Sequence, residues 1–159
     1  MKSSKIIGVD LAKNVFQLAL ADTHHHVFQT RRLNRTQFHK FFVQHPPTQI
    51  VMETCGTAHY WARTLESMGH NVTLLPAQYV RPYVRRNKTD ANDAIAIVEA
   101  ARNASIHGVP IKTEYQQTLQ SLHRLREQWK HTRTARINGL RGILREFGVW
   151  VPLGPKHAI

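Results

Sequence analysis

Cysteine is nearly absent from this chain: Cys55 stands alone in 159 residues. An intramolecular disulfide is therefore excluded, and a reducing compartment is the expected setting. No apolar run reaches the roughly 18 residues of a membrane span. The apolar stretch near the N-terminus is too short for a signal peptide, and Asp10 follows too early. A cytoplasmic location is expected. Acids are also scarce: 10 Asp and Glu stand against 22 Lys and Arg, a formal net charge of +12. Such a field attracts polyanions, of which nucleic acid is the commonest in a cytoplasm. No internal repeat is apparent. With 42% hydrophobic residues, the chain can bury the core of one domain and carry an appendage.

Four of the scarce acids stand at particular places. Asp10 closes the apolar run Ile6-Ile7-Gly8-Val9, and Glu53 closes Ile50-Val51-Met52. Asp90 and Asp93 open an apolar helical pattern after Lys88-Thr89. Charge predicts nucleic-acid binding; these four positions predict chemistry.

Hydrophobic patterning gives the frame. Residues 5–10 form a strand buried on both faces. Residues 15–20 alternate as a second strand, 22–26 form a polar turn, and 27–33 form a third strand, giving an antiparallel meander. Asn34 opens a helix with Phe38, Phe41 and Phe42, which Pro46 and Pro47 stop. Residues 48–54 form a fourth strand and 57–68 a helix ending at Gly69. Asn71–Leu75 is the fifth strand. Strand–helix–strand spacing implies parallel pairing through right-handed crossovers. A basic stretch, 79–88, leads into a helix capped by Thr89 that runs from 90 to about 103. Three antiparallel strands, then two parallel ones with interleaved helices, is the order of the ribonuclease H fold, an α/β class with a mixed five-stranded sheet. Domain boundaries follow: 1–104 for this domain, 105–112 a linker with Gly108 and Pro110, 113–148 a long helix, and 149–159 a flexible tail. The long helix carries Leu119, Leu122, Leu125, Trp129, Ile137, Leu140, Leu144 and Phe147 on one stripe, which predicts association with another helix.

If the first and fourth strands are parallel neighbours, Asp10 and Glu53 lie about one strand spacing apart, roughly 5 Å. Asp90 and Asp93, three apart on a helix, share a face. Four carboxylates together repel and drive protonation. Two Mg²⁺ or Mn²⁺ ions remove that penalty and provide the two-metal geometry for in-line attack at a phosphodiester. Taken singly, each acid has a plainer explanation. Asp90 and Asp93 suit a helix dipole, and an Asp after an apolar strand marks a turn.

The segments Gly8-Val9-Asp10-Leu11-Ala12-Lys13, Met52-Glu53-Thr54-Cys55-Gly56-Thr57 and Lys88-Thr89-Asp90-Ala91-Asn92-Asp93-Ala94 closely resemble the N-terminal domain of the DEDD transposases of the IS110 group. These are bacterial insertion-sequence recombinases with a RuvC-like domain. The resemblance covers roughly residues 5–148. It implies that Asp10, Glu53, Asp90 and Asp93 are the catalytic metal ligands, and that the long helix belongs to a coiled-coil region for assembly. It further implies donor and target DNA as partners, a structured guide RNA, and a bacterial cytoplasm. Arg81, Arg85, Arg86 and Lys88 would line the nucleic-acid path, with Lys13, Arg133, Arg136 and Arg141 as further phosphate contacts. Family members continue into a second domain that supplies a serine nucleophile. Ser3, Ser4, Ser67, Ser105 and Ser121 lie in no motif resembling it, so the chain reads as the metal-binding half of a recombinase. Without the serine domain it should be inactive.

Two other classes stay open: a self-sufficient RuvC-type nuclease in which metals activate water, and a non-catalytic nucleic-acid-binding or assembly subunit. His24, His25 and His26 read as a solvated turn rather than a metal site. Cys55 reads as a small packing residue, and Tyr60 and Trp61 as core residues.

Overall fold

Ile6 to Val9 are buried on both faces of the strand they form, which makes this the centre of the sheet. The computed structural model describes residues 5–84 and 90–154. The chain divides after Ile111 into two units, taken in turn.

In the first unit, β1 (Ile6–Leu11) pairs antiparallel with β2 (Val15–Ala21) and parallel with β4 (Gln49–Glu53). On one side β3 (Val27–Asn34) joins β2 antiparallel; on the other β5 (Asn71–Leu75) joins β4 in parallel. The order β3-β2-β1-β4-β5 is the ribonuclease-H-like arrangement expected from the sequence. Strand alternation sends Ile7, Val9, Phe16, Leu18, Ile50, Met52 and Leu74 to one face, where they form a core with α1 (Arg35–Gln44) and α2 (Ala58–Ser67). An aromatic knot centres this layer: Phe38 packs edge-on against Phe16, Phe42 and Trp61 with ring centroids 4.6, 4.8 and 5.0 Å away.

The opposite face is built from small residues. Ile6, Ala19, Ala21, Val51 and Leu75 meet Ala94, Ala96, Ile97, Val98 and Ala100 of α4 (Asp90–Ala101). Here a glycine is required. A Cβ on Gly8 would fall 2.6 Å from both the Ala94 carbonyl oxygen and Val98 Cγ2, so α4 rests directly on the backbone of β1.

Local chemistry fixes the boundaries. Asn34 caps α1 by accepting from the Gln37 amide at 2.9 Å, while the Gln37 side chain accepts from the Asn34 amide at 3.0 Å. Gly69 adopts a left-handed φ of 91° after α2. Between β5 and α4 lie two elements the sequence reading did not anticipate, α3 (Ala77–Val80) and a 3-10 turn (Arg81–Tyr83). The expected linker needs correction: Val109 bridges to Leu74 of β5 and its amide donates to the Leu74 carbonyl at 2.7 Å. The first unit therefore extends to Ile111 rather than 104.

The second unit is dominated by α5 (Glu114–Glu146), whose cap Thr113 forms a capping box with Gln116. At 33 residues it is roughly 50 Å long. Leu119, Leu122, Leu125, Trp129, Leu140, Ile143 and Phe147 are exposed along it. The helix ends with Gly148 at φ 74° and with Val149 donating to the Leu144 carbonyl at 2.9 Å, a Schellman closure. The described part of the tail is held, contrary to the expectation of a loose end. Arg141 Nη2 donates to the carbonyls of Pro152 and Gly154 at 2.6 and 2.7 Å.

Candidate metal centre at the carboxyl end of the sheet

Val9 and Met52 are the last paired residues between β1 and β4; Asp10 and Glu53 each follow by one. Alternation turns both onto the face that Gly8 and Val51 present to α4. Both carboxylates are half-buried.

The direction of α4 brings the other two acids to the same end. Its C-terminal half lies by the β2–β3 turn: Ile95 and Glu99 line a shallow pocket with His26 to Thr30, and the charges of Glu99 and Arg102 act on His25. That turn adjoins the start of β1, since Ile6 pairs with Ala21. The first turn of α4, with Asp90 and Asp93, accordingly points to the opposite end, where β1 and β4 finish. Asp90 is exposed and Asp93 half-buried. Asp93 Oδ1 is itself buried, and no hydrogen-bond donor among the described residues reaches it. A buried acceptor left in that state costs about 1–3 kcal/mol, more if charged.

Oxygen donors of this kind suit a hard divalent cation such as Mg²⁺, and a cation would satisfy the orphaned Asp93 oxygen. Among the described residues, however, no group of three or more His, Cys, Asp or Glu is arranged to hold a metal ion. Asp10 and Glu53 share one face at the end of the sheet toward which the first turn of α4 points.

The expected nucleic-acid contacts divide. Lys13, Arg81, Arg133 and Arg136 are exposed. Arg85, Arg86 and Lys88 lie outside the described residues. Arg141 must be corrected: it is 9% exposed, and its guanidinium holds the backbone of residues 152 and 154, so it is unavailable to phosphate.

Two further expectations are settled by burial. Trp61 is in the core, but Tyr60 is 53% exposed. Neighbours on a helix point about 100° apart, so only one of the pair can face inward. Cys55 is exposed rather than packed, with its Sγ 3.9 Å from the Thr57 hydroxyl. The three histidines occupy the β2–β3 turn, where Asp22 Oδ1 accepts from the amides of His24 and His26 at 2.9 and 3.0 Å. The His26 amide bond is the main reason the Asp22 carboxyl is held below its ordinary range. Sequence reasoning also passed over Gly8. A glycine inside an apolar strand is the signal that would have found it.

The family model DEDD_Tnp_IS110, described as Transposase, matches residues 7–149. The chain belongs to this IS110 family of DEDD transposases. It is 51% identical over 143 residues to a probable family 20 transposase of Pseudomonas aeruginosa, covering 90% of this chain and 42% of that protein. It is 45% identical over 157 residues to the transposase for insertion sequence element IS1111A of Coxiella burnetii, covering 99% and 43%. With the transposase for IS1328 of Yersinia enterocolitica it shares 38% over 154 residues, covering 97% and 46%. The chain thus spans less than half the length of these relatives. Among solved structures it is similar to T. thermophilus RuvC in complex with a Holliday junction substrate, with a TM-score of 0.48 and 11% identity, over 65% of this chain and 98% of that one.

No helix among the described residues is long and apolar enough to cross a membrane.

Proposed function

We propose that this chain is the metal-binding catalytic part of an insertion-sequence transposase that acts on DNA under the guidance of a structured RNA. Asp10, Glu53, Asp90 and Asp93 are its ligands for Mg²⁺ or Mn²⁺. The observation that carries this reading is the buried Asp93 Oδ1, which no donor among the described residues reaches, at the end of the sheet where Asp10 and Glu53 finish their strands.

Bound divalent ions would neutralise the acids and polarise a phosphodiester oxygen. The chain's own part is to hold the carboxylates in place. Asp10 and Glu53 each sit one residue past the last pair of neighbouring parallel strands, and α4 packs against the β1 backbone at Gly8. A formal charge of +12 supports a polyanionic partner, whether donor DNA, target DNA or guide RNA. The serine nucleophile and strand exchange belong, in this reading, to the whole transposase, of which the chain covers 42–46% in the relatives above. The exposed apolar residues of α5 support assembly with a second copy of the chain.

Mn²⁺ titration followed by amide NMR tests the metal assignment without any activity. Paramagnetic broadening is expected first at residues 9–11, 53–54 and 91–94. Broadening concentrated instead at residues 24–26 would move the metal to the histidine turn and overturn the assignment.

A further inference from the structure

The strand register extends the row begun by Asp10 across the sheet. Asp10 pairs with Gln17, and Gln17 pairs with Arg32. Directly paired residues project from the same face, so Asp10, Gln17 and Arg32 form one cross-strand row on the α4 side, and Glu53, one residue past the Val9–Met52 pair, follows them by alternation. The neighbouring row confirms the parity: Arg31 pairs with the core residue Leu18 and lies over the Phe41 ring at 5.4 Å, on the α1 side.

Three observations set Arg32 apart. It is exposed, and the α4 residues that line the pocket beside β3 reach only as far as Thr30. It joins none of the ion pairs among the described residues. No Asp or Glu occurs anywhere between Asp22 and Glu53, so its charge has no acid nearby in sequence. It stands two strand spacings from Asp10, roughly 10 Å. Successive phosphates of one nucleic-acid strand lie some 6–7 Å apart, so that span bridges one to two nucleotides.

We infer that Arg32, with Gln17 between it and the acids, is a positioning residue that grips a backbone phosphate one or two nucleotides from the phosphodiester held at Asp10 and Glu53. Its partner is the phosphate backbone of a nucleic acid. A guanidinium suits this because its planar fork donates to two phosphate oxygens at once. Gln17 can donate to the intervening sugar–phosphate from the same row. The assignment of the scissile position rests on the metal reading above; the phosphate contact at Arg32 does not.

Opposite-face substitution on one strand provides the test. The chain carrying Arg32→Ala, Arg32→Lys or Arg31→Ala would be titrated by fluorescence anisotropy against labelled duplex DNA and, separately, labelled single-stranded RNA, across a salt series in Mg²⁺. Arg32→Ala should weaken binding about tenfold and reduce the magnitude of the salt slope by about 1, with the melting temperature unchanged. Arg32→Lys should recover the slope but only part of the affinity, because the fork is lost. Arg31→Ala should leave the slope as in the parent chain. The arm showing the loss identifies whether DNA or RNA supplies the phosphate. Equal losses for Arg31→Ala and Arg32→Ala, or no loss for Arg32→Ala in either arm, would overturn the contact. If the Mn²⁺ broadening fails at Asp10 while Arg32→Ala still loses affinity, the metal reading falls and the phosphate contact stands.

Discussion

Gly8 and Ala94 are in backbone contact: a Cβ on the glycine would lie 2.6 Å from the Ala94 carbonyl oxygen. That contact seats α4 on β1, and Asp93, one residue before Ala94, is carried to the end of the strand that Asp10 closes. Small size at one strand position therefore underlies the placing of the acids.

Gly8→Ala should accordingly be costly despite adding one carbon. Overpacking of this kind typically costs about 1–3 kcal/mol, and here α4 must lift for the methyl to fit. Denaturant unfolding should show the loss, and the response to Mg²⁺ should weaken with it. A stability equal to the parent chain would mean that α4 is not seated as described.

The β2–β3 turn offers an opposite result. His25 holds a φ of 63°, the left-handed region that costs an ordinary residue about 1 kcal/mol and glycine nothing. His25→Gly should raise the melting temperature. A fall would show that the imidazole contributes contacts outweighing the backbone strain.

The same residue gives a pH dependence. Burial, and after it the charge of Arg102, push the His25 pKa below its ordinary 6.5. The folded state then binds this proton less readily than the unfolded chain. Its contribution is complete above about pH 6.5 and is lost as pH falls through that value toward the lowered one. Asp22, also lowered, loses its contribution only further down, as pH falls from about 3.8 through its folded value. Between about pH 7.5 and pH 5.5, His25→Gly should lose less melting temperature than the parent. Identical slopes would contradict the assignment.

Much of this architecture is legible in the residues. The central strands are apolar runs, Pro46 and Pro47 stop α1, and Asn34 and Thr113 open their helices with capping boxes. Asp10 and Glu53 are conspicuous because they close apolar runs, and Asp90 and Asp93 because they open an apolar helical pattern. What stays hidden has no periodic signature. Ala77–Val80 is a single turn, too short for a helical pattern, and Val109 attaches to β5 through one bridge. Arg141 reads as a surface cation because its partners are backbone carbonyls, which composition does not reveal. Row membership of Arg32 follows only once the β2–β3 register is known, since a shift of one residue would send it to the other face.

Arg141→Ala should release the segment it holds. Loss of hydrogen bonds from a charged donor costs roughly 1.5–3 kcal/mol, felt locally. Amide exchange should quicken at residues 149–154 while residues 5–84 keep their protection. Unchanged exchange in the tail would show that the Schellman closure alone suffices.

On α5, self-association of the parent chain should be seen by sedimentation and should be lost when Leu122→Glu is combined with Trp129→Glu. Each side chain, exposed in the isolated chain at 58% and 70%, would bury about 1.5–3 kcal/mol of apolar surface in a helix pair. A parent chain that is monomeric at every concentration removes this role from the stripe.

The central claim is that the four acids form a metal centre, and thermal unfolding with and without Mg²⁺ or Mn²⁺ tests it most directly. The parent chain should gain melting temperature with metal, since an ion that binds only the folded state stabilises it by mass action. Asp10→Asn together with Asp93→Asn should abolish that gain, and by relieving carboxylate repulsion should leave the metal-free protein as stable as the parent or more so. A metal-induced rise of equal size in the double variant would contradict the account.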